Sequence, residues 1–441
     1  MKNRYDKYKD SGIAWIGEIP EHWEVRRMKS IYNFGKGLNI TKADLVDKGI
    51  SVISYGQIHS KLNTGTCIKD SLIKYVPEIF LENNNASLVK KGDIIFADTS
   101  EDLEGCGNCI YIDRDMLLYA GYHTIIAKNI STFINKYFSY LFQTDCWRSQ
   151  IRKTVNGVKL FSIPQRLLAS TDIITPSTQE QQSIATYLDQ KCGEIDELIT
   201  MQEEMITKLQ SYKQSVITEA VTKGLDKNVP LKDSGIEWIG NTPEHWNKNK
   251  IIRLFGIIGS GTTPKSSKED NYIGSVNWIQ SGDINGGYIE SCKNTISDTA
   301  LKEYTTLKIY KAPFIIVAMY GASVGNISIS NIDGCVNQAC CVMNETKQNF
   351  KYLFYAMNSV KKYLIYKAEG GGQPNISQDK IKNTWLPIPP LSEQQSIANY
   401  LDQKCSEIDE LISIKQQKIE KLKDYKKSLI FECVTGKRKV S

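Results

Sequence analysis

The feature that most constrains this chain is an internal repeat, because two copies of one unit are expected to adopt the same fold twice. The segment DSGIAWIGEIPEHW at 10–23 returns as DSGIEWIGNTPEHW at 233–246, with 11 of 14 positions identical and an offset of 223. The segment EQQSIATYLDQKCGEIDELI at 180–199 returns at 393–412 with 18 of 20 positions identical and an offset of 213. The chain is therefore two head-to-tail copies of a short lead, a body and a helix.

The two bodies differ far more than the segments around them. Body 1 (24–179) and body 2 (247–392) show no obvious similarity, and body 1 is about ten residues longer. Near-identical leads and helices around divergent bodies indicate one shared task and two different tasks. The repeated parts are expected to contact the same kind of partner twice, and the bodies to contact two different targets.

Both repeated helices carry an apolar stripe in rows spaced by seven residues, as in a coiled-coil seam. Because the two stripes are nearly identical, packing of the helices on each other is favoured over packing of each helix on its own body. A head-to-tail repeat that closes around a pseudo-two-fold axis makes the helices antiparallel. The predicted seam contains Ile184, Leu188, Ile195, Leu198, Leu209, Ile397, Leu401, Ile408, Leu411 and Leu422.

Each body reads as a mixed unit of strands and helices. Short apolar runs at 51–58, 91–100, 275–284 and 314–322 predict strands, and amphipathic stretches near 135–152 and 349–367 predict helices. The predicted fold class is α/β, with two globular bodies separated by two long antiparallel coiled-coil helices in a pseudo-two-fold repeat. The predicted domains are 1–178, 179–224, 225–391 and 392–435, followed by a basic tail at 436–441.

Composition narrows the class of protein further. Lys and Arg number 55 against 49 Asp and Glu, a net charge of +6 that permits a nucleic-acid partner without requiring one. The apolar runs are shorter than the ~18–20 residues that span a bilayer, and the N-terminus lacks an apolar signal core. We therefore expect a cytoplasmic protein with no membrane partner.

Searches for catalytic and metal-binding motifs find none. The glycine-rich segment GIIGSGTT at 256–263 lacks the lysine of a phosphate-binding loop, and no dinucleotide or methyltransferase motif occurs. Cys106 and Cys109 have metal-like spacing, but no second pair matches them and the chain has only four His. We expect a non-catalytic chain that binds no metal and no cofactor.

Polar loops in the bodies are candidates for contact with nucleic acid. Backbone N–H groups, hydroxyls and cations suit phosphates, and amide side chains suit base edges, although ordinary surface loops have the same composition. The candidate DNA-binding residues are Lys36, Ser100, Arg152, Lys153, Asn156, Lys159, Ser260, Thr262, Thr263, Lys265, Gln280, Tyr320, Gln373 and Asn375.

The order of these segments resembles the specificity subunit of type I restriction–modification systems. The resemblance covers essentially the whole chain and is carried by TPSTQEQQSIATYLDQKCGEIDELI, by PIPPLSEQQSIANYLDQKCSEIDELI and by the second lead, DSGIEWIG. SGTTPK, WIQSGDI and GGGQPNIS are typical of the start, middle and end of a body in that family. Body 1 departs from the pattern, since TVNGVKLFS replaces its glycine-rich end.

The resemblance implies a role in a larger complex. Each body would be a target recognition domain that reads one half of a bipartite site in double-stranded DNA. The helices would set the spacing between the halves and dock two modification subunits, which use S-adenosylmethionine to methylate adenine. Two restriction subunits, which use ATP and Mg²⁺, can join such a complex.

Two other functions fit the residues less well. A scaffold whose bodies bind protein would show the same repeat, and salt-dependent binding of duplex DNA separates it from a DNA reader. A self-contained methyltransferase is disfavoured because the chain has no motif for a methyl donor.

Overall fold

The computed structural model describes residues 4–13, 15–82, 84–155, 157, 159–368 and 375–440. It divides into two compact units, unit 1 at Met1–Gln202 with Gln417–Ser441 and unit 2 at Glu203–Gln416. Each unit contains one lead, one body and part of both repeated helices. The predicted fold class, two α/β bodies with two long antiparallel helices, is confirmed.

Unit 1 contains the following elements. Its strands are β1 (Tyr8–Asp10), β2 (Glu18–Pro20), β3 (Glu24–Arg27), β4 (Tyr32–Lys36), β5 (Ile50–Ile53), β6 (Lys74–Val76), β7 (Leu88–Val89), β8 (Ile94–Ala97), β9 (Thr99–Ser100), β10 (Cys109–Tyr111), β11 (Leu118–Ala120), β12 (Thr124–Asn129), β13 (Phe161–Ser162) and β14 (Asp172–Thr175). Its helices are α1 (Tyr55–Ile58), α2 (Asn135–Leu141), α3 (Asp145–Arg152), α4 (Gln165–Ala169) and the first part of α5 (Thr178–Lys223).

Unit 2 continues the chain with a similar series. Its strands are β15 (Leu231–Asp233), β16 (Asn241–Pro243), β17 (Asn247–Lys250), β18 (Ile257–Gly259), β19 (Val276–Ile279), β20 (Tyr288–Ile289), β21 (Thr295–Ile296), β22 (Phe314–Ala318), β23 (Ile327–Ser330), β24 (Cys335–Val336), β25 (Cys340–Asn344) and β26 (Trp385–Ile388). Its helices are α6 (Asp298–Glu303), α7 (Phe350–Tyr366), α8 (Gln378–Lys382) and the first part of α9 (Leu391–Val434).

The two bodies have the same sheet topology despite their divergent sequences. One sheet of body 1 has the order β10-β8-β12-β4, and body 2 repeats it as β23-β22-β25-β18 with β20 added at one edge. A second sheet contains a parallel pair in each body, β5 with β11 and β19 with β24. The differences between the bodies therefore lie in side chains and loops on a common scaffold.

A motif shared by the bodies attaches each of them to a repeated helix. Lys-Tyr-x-x-Tyr occurs on α2 as Lys136, Tyr137 and Tyr140, and on α7 at the equivalent places. The Tyr140 hydroxyl donates to Asp189 of α5 at 2.7 Å, and Lys136 pairs with the same carboxylate at 3.0 Å. This attachment was not recognised in the sequence because three matching positions do not stand out from the divergent residues around them.

Unit 2 repeats this attachment with its own residues. The Tyr355 hydroxyl donates to Asp402 of α9 at 2.8 Å, and the Lys351 ammonium group pairs with that carboxylate at 2.5 Å. The remaining tyrosine, Tyr352, is buried and donates to the carbonyl of Val221 at 3.3 Å, near the end of α5. Each body is therefore fixed to the start of one repeated helix and to the end of the other.

The repeated helices pack against each other within each unit and run antiparallel. In unit 1, Lys426 of α9 donates to Asp196 of α5 at 2.7 Å. In unit 2, Lys213 of α5 donates to Asp409 of α9 at 2.7 Å. Both cores include helix residues, such as Leu188 with Leu429 in unit 1. Each unit therefore contains one part of the predicted helix pair.

The predicted seam positions Leu198 and Leu411 are not buried in the structure. Leu198 and Leu411 are 42 % and 46 % exposed, whereas the row one residue later contains the buried Cys192 and Cys405. The central row of the stripe contains Leu188 and Ile195 in α5, and Leu401 and Ile408 in α9. Positions three residues after this row and positions four residues after it recur equally regularly in the sequence. Periodicity alone could not decide which flank is buried. The other predicted seam residues are buried (Ile184, Leu188, Ile195, Ile397, Leu401 and Ile408) or half-buried (Leu209 and Leu422).

Membrane-spanning helices and metal-binding clusters are both absent from the described residues. Among them, no helix combines the length and the hydropathy needed to cross a bilayer. In the same residues, no cluster of His, Cys, Asp and Glu side chains has a geometry that could hold a metal ion.

Candidate nucleic-acid interface

In each body, polar loops meet at the carboxyl ends of the parallel strand pair. The loop after β11 is anchored to β5, since Gly121 N–H donates to the Ile53 carbonyl at 2.7 Å. In body 2, Asn337 N–H donates to the Ile279 carbonyl at 3.1 Å and anchors the loop after β24 to β19 in the same way. In α/β sheets, the carboxyl ends of neighbouring parallel strands are a common place for ligand-binding crevices.

The local sequence explains why these strands stop where they do. The run predicted as a strand at 51–58 ends at Ile53, because the Ser54 N–H donates to the Gln57 side chain at 3.0 Å where α1 begins. In body 2, the run at 275–284 ends at Ile279, where Gln280 N–H donates to the Asp283 carboxylate at 2.8 Å. Both predicted strands were too long, since capping residues turn the chain at the edge of the sheet.

Gln338 is the centre of the loop cluster in body 2. The Thr263 hydroxyl donates to the Gln338 Oε1 atom at 2.5 Å, and the Ser260 hydroxyl donates to the Gln338 carbonyl at 3.4 Å. The Gln338 amide group also lies close to the Tyr320 hydroxyl, where it partly offsets the rise in the Tyr320 pKa that burial causes. Three of the predicted residues, Ser260, Thr263 and Tyr320, are therefore brought together around a residue that was not predicted.

Two more loops reach the same end of body 2. The Ser323 hydroxyl donates to the Ser281 carbonyl at 2.6 Å, which joins the loop after β22 to the loop after β19. Ile376 N–H donates to the Met319 carbonyl at 2.7 Å and brings the segment before α8 to the same place. The loops that stood out in the sequence as polar and glycine-rich thus meet at one edge of the sheets.

Gln338 could have been found in the sequence from one signal. Asn337 and Gln338 form a polar pair between the buried residues Val336 and Ala339. A polar pair between two apolar strands marks a loop at a sheet edge. The sequence does not show that the loops after β18 and β22 close on that pair.

His123 is the centre of the corresponding cluster in body 1. It has a φ of +55°, a left-handed conformation that costs energy for residues other than glycine and often occurs at functional sites. Its Nδ1 atom lies 3.2 Å from a carboxylate oxygen of Asp98. Its ring lies 5.4 Å from the ring of Tyr55 and 6.0 Å from that of Tyr122, measured between centroids. This end of body 1 is therefore aromatic, where body 2 has amide and hydroxyl groups.

Equivalent backbone hydrogen bonds align the two clusters residue by residue. Asp98 N–H donates to the His123 carbonyl at 3.1 Å, and Met319 N–H donates to the Ala339 carbonyl at 2.7 Å. Ile163 N–H donates to the Asp98 carbonyl at 2.7 Å, as Ile376 does to Met319. In this alignment Tyr122 occupies the position of Gln338.

The remaining predicted residues of body 1 are scattered. Lys36 is exposed at the end of β4, and Lys159 is exposed beyond α3. Ser100 is only 2 % exposed, and its hydroxyl donates to the Asp102 carbonyl at 2.7 Å, so it stabilises its own loop. Lys153 lies over the ring of Trp15, with 4.5 Å between Nζ and the centroid. Asn156 lies outside the described residues.

Arg152 and its neighbour Arg148 are held inside body 1. Arg152 pairs with Asp145 at 2.8 Å and also donates to the Glu104 carbonyl at 2.8 Å. Burial lowers the pKa of Arg148, and its guanidinium group donates to neutral acceptors such as the Asn108 side chain at 2.7 Å. Both arginines hold the loop before β10 against α3.

In body 2 the remaining predicted residues lie around Gln338 or beyond it. Thr262 and Gln280 are half-buried, and Lys265 and Asn375 are exposed. The Lys265 N–H donates to the hydroxyl of Tyr304, just after α6, at 3.0 Å. Gln373 lies outside the described residues.

The helix pair offers a second kind of surface. On α5, Leu198 and Met201 are exposed, and on α9 the equivalent residues Leu411 and Ile414 are exposed as well. The offset between the members of each pair is 213, the offset of the helix repeat. Each helix therefore presents the same exposed apolar positions.

Comparison with known proteins identifies the family. The family model described as type I restriction modification DNA specificity domain matches residues 20–208 and 243–424. The chain is 26 % identical to the type I restriction enzyme MjaX specificity subunit of Methanocaldococcus jannaschii over 96 % of both chains. It is 23 % identical to the EcoBI specificity subunit of Escherichia coli over 65 % of this chain and 63 % of that one.

Solved structures show the same fold at low sequence identity. One similar chain comes from a structure that describes complex assembly and conformational transition of a type I restriction–modification system. Its TM-score is 0.71 at 16 % identity. That match covers 94 % of this chain and 98 % of the other. The HsdS subunit from Thermoanaerobacter tengcongensis has a TM-score of 0.50 at 16 % identity and covers 95 % of this chain and 98 % of its own.

Proposed function

The chain belongs to the family of type I restriction–modification specificity subunits, and we propose that each of its bodies reads one half of a bipartite DNA site. The observation that carries the proposal is the contrast between a shared scaffold and different loop ends. Both bodies have the same sheet order and the same anchored loops, but aromatic groups in body 1 replace the amide and hydroxyl groups of body 2. One scaffold with two sets of contact groups suits two different half-sites.

The helix pair is the proposed docking surface for two modification subunits. The exposed positions Leu198 and Met201 recur as Leu411 and Ile414 at the offset of the repeat. Exposed apolar side chains at repeated positions suit two copies of one partner. In this proposal the helices also set the spacing between the half-sites.

In this proposal the partner subunits carry out the chemical reactions. The modification subunits bind S-adenosylmethionine and methylate adenine, and two restriction subunits with ATP and Mg²⁺ can join them. This chain supplies contacts with phosphates for affinity and contacts with base edges for sequence choice. It is a non-catalytic member of the complex.

The proposal is tested by mapping methylated adenines across the genome of cells that carry this chain and its modification subunit. Cells that lack only this chain are the control. We expect a new motif with two short specified halves and a fixed, unspecified gap. A motif that has a single uninterrupted half would contradict the assignment of one half-site to each body.

Binding measurements test the alternative of a protein scaffold. The affinity of the assembled complex for duplex DNA is expected to fall steeply with salt, because phosphate contacts release counterions. A complex that assembles but binds duplex DNA with no salt dependence would favour the scaffold.

A further inference from the structure

We infer that Tyr122 in body 1 and Gln338 in body 2 are the equivalent base-reading residues of the two half-sites. The inference rests on the proposed function and goes further, since it names one contact position in each body. Both residues lie in the loop that follows the second strand of the parallel pair. Neither was among the candidates from the sequence.

The first argument is the equivalence of the two positions. The hydrogen bonds from Gly121 to Ile53 and from Asn337 to Ile279 fix the start of each loop. The hydrogen bonds that His123 and Ala339 accept fix its end. Both loops therefore run between equivalent anchors, and the side chain between the two anchors differs. Residues that give two bodies different specificities are expected at such positions.

The second argument is the chemistry of Gln338. Its side chain is exposed, and the Thr263 hydroxyl donates to its Oε1 atom. That contact occupies the Oε1 atom and directs the amide nitrogen away from Thr263, beside the Tyr320 hydroxyl. The nitrogen carries two N–H groups, so one can face Tyr320 while the other donates to DNA. An amide N–H group in a DNA groove donates to an acceptor on a base edge, such as purine N7. Body 2 is therefore expected to select a base that presents a hydrogen-bond acceptor on its edge.

The third argument is the different character of body 1. Tyr122 is half-buried, with ring centroids 5.5 Å from Tyr55 and 6.0 Å from His123. The Tyr122 hydroxyl is protonated at neutral pH and can donate, since its ordinary pKa of 10.0 is already far above that pH and burial raises it further. The Asp98 carboxylate beside His123 repels phosphate, which favours contact with a base over contact with the backbone. A phenol held among rings offers one hydrogen bond and an apolar face.

The experiment uses the full chain in complex with its modification subunits. Gln338→Ala and Tyr122→Phe are compared with the unchanged chain by mapping methylated adenines. We expect Gln338→Ala to relax one position in one half-site, with roughly 10- to 100-fold less discrimination there. Tyr122→Phe is expected to relax a position in the other half-site. Each variant is therefore the control for the other half of the motif.

Two further variants make the test sharper. Gln338→Glu replaces N–H donors by acceptor oxygens, so the selected base is expected to change from one with an acceptor to one with a donor, such as cytosine. Asn331→Ala removes an exposed amide just after β23, at the opposite end of the same sheet from Tyr320. That variant is expected to keep the motif unchanged.

The outcomes separate this inference from the proposed function. An unchanged chain that yields no bipartite motif would overturn the proposed function. A normal motif that stays unaltered in Gln338→Ala, Gln338→Glu and Tyr122→Phe would overturn only the inference, as would changes in both halves from one variant. A variant that methylates nothing is assayed by binding of its assembled complex to randomised duplexes. Relaxation at one position there supports the inference, and unaltered selectivity or loss of assembly contradicts it.

Discussion

At the scale of the residue, single buried side chains join the variable bodies to the repeated helices. Gln181 is fully buried near the start of α5. Its Oε1 atom accepts from Ile134 N–H at 2.8 Å, and its Nε2 atom donates to the Pro176 carbonyl at 2.8 Å. In unit 2, Gln394 accepts from Asn349 N–H at 2.9 Å and donates to the Pro389 carbonyl at 2.8 Å. One glutamine side chain in each unit thus forms hydrogen bonds with a backbone N–H group and a backbone carbonyl that lie outside the strands and helices.

Replacement of Gln181 by the apolar Met is expected to destabilise the chain. The change leaves two backbone groups without partners, at about 1–3 kcal/mol each. The control is Gln182→Met at the exposed neighbouring position, for which we expect a change within about 0.5 kcal/mol. Urea unfolding of the two purified variants measures the difference, and equal stabilities would contradict the role given to Gln181.

Glu180 predicts a dependence of stability on pH. Burial raises the pKa of Glu180, but its hydrogen bonds with His22, Ser177 and Trp23 outweigh burial and hold the pKa below its ordinary value of 4.5. A carboxyl with a lowered pKa in the folded state stabilises the fold above its ordinary pKa. That contribution is lost as the pH falls through the lower, folded value.

The difference in unfolding free energy between the unchanged chain and Glu180→Gln should therefore be largest near neutral pH and shrink below pH 4.5. Urea unfolding at a series of pH values measures it. Glu197→Gln, at an exposed position of the same helix, is the control. A difference that grows on acidification would show that the sign is wrong.

At the scale of the element, each unit holds its two helices together by an apolar seam flanked by one ion pair. The pairs Asp196–Lys426 and Lys213–Asp409 join residues at equivalent places of the repeat. About half of each aspartate side chain is exposed, at 50 % and 57 %, so water screens both pairs. The seam, and not the ion pairs, is expected to supply most of the stability.

A double-mutant cycle tests this ranking of the contacts. Asp196→Ala, Lys426→Ala and the double variant are expected to give a coupling energy of about 0.2–1 kcal/mol. Leu188→Ala in the fully buried seam is expected to cost about 2–5 kcal/mol. Urea unfolding measures both, and a coupling energy above the cost of Leu188→Ala would reverse the ranking.

At the scale of the whole molecule, the two helices carry the proposed control of half-site spacing. Both ion pairs imply the same antiparallel register of α5 and α9. Deletion of 201–207 together with 415–421 removes one heptad from each helix and leaves both ion pairs in register. It removes Met201 from the proposed docking surface and keeps Leu198, Leu411 and Ile414. Each helix is then shortened by about 10 Å.

The paired deletion is expected to shorten the unspecified gap of the methylated motif by about three base pairs, since 10 Å is about that length of duplex. The half-sites themselves should stay the same. Deletion of 201–207 alone puts the seam out of register and is expected to abolish assembly. Methylation mapping reads out each variant, and an active paired deletion with an unchanged gap would refute spacing by the helices.

Much of the architecture followed from the sequence because repetition is visible without structure. Identity of 18 of 20 positions at one offset predicts two equal helices, and the heptad rows predict their association. The burial of Leu188, Ile195, Leu401 and Ile408 depends only on the central row, which the sequence determines. The exposed flank with Leu198 and Leu411 depends on how the antiparallel partner lies, which the sequence of one helix does not contain.

The candidate site was predictable in its loops but not in its centre. Thr263 and Tyr320 stood out because hydroxyls in glycine-rich loops are recognisable one segment at a time. The central positions of Gln338 and His123 were decided only when loops distant in sequence closed on them, through Thr263 in body 2 and Asp98 in body 1. The sequence by itself determined the repeat, the long helices and the family resemblance, because these are patterns along the chain. Tertiary structure alone decided which residues share an edge of the sheet, because non-local strand pairing brings them together.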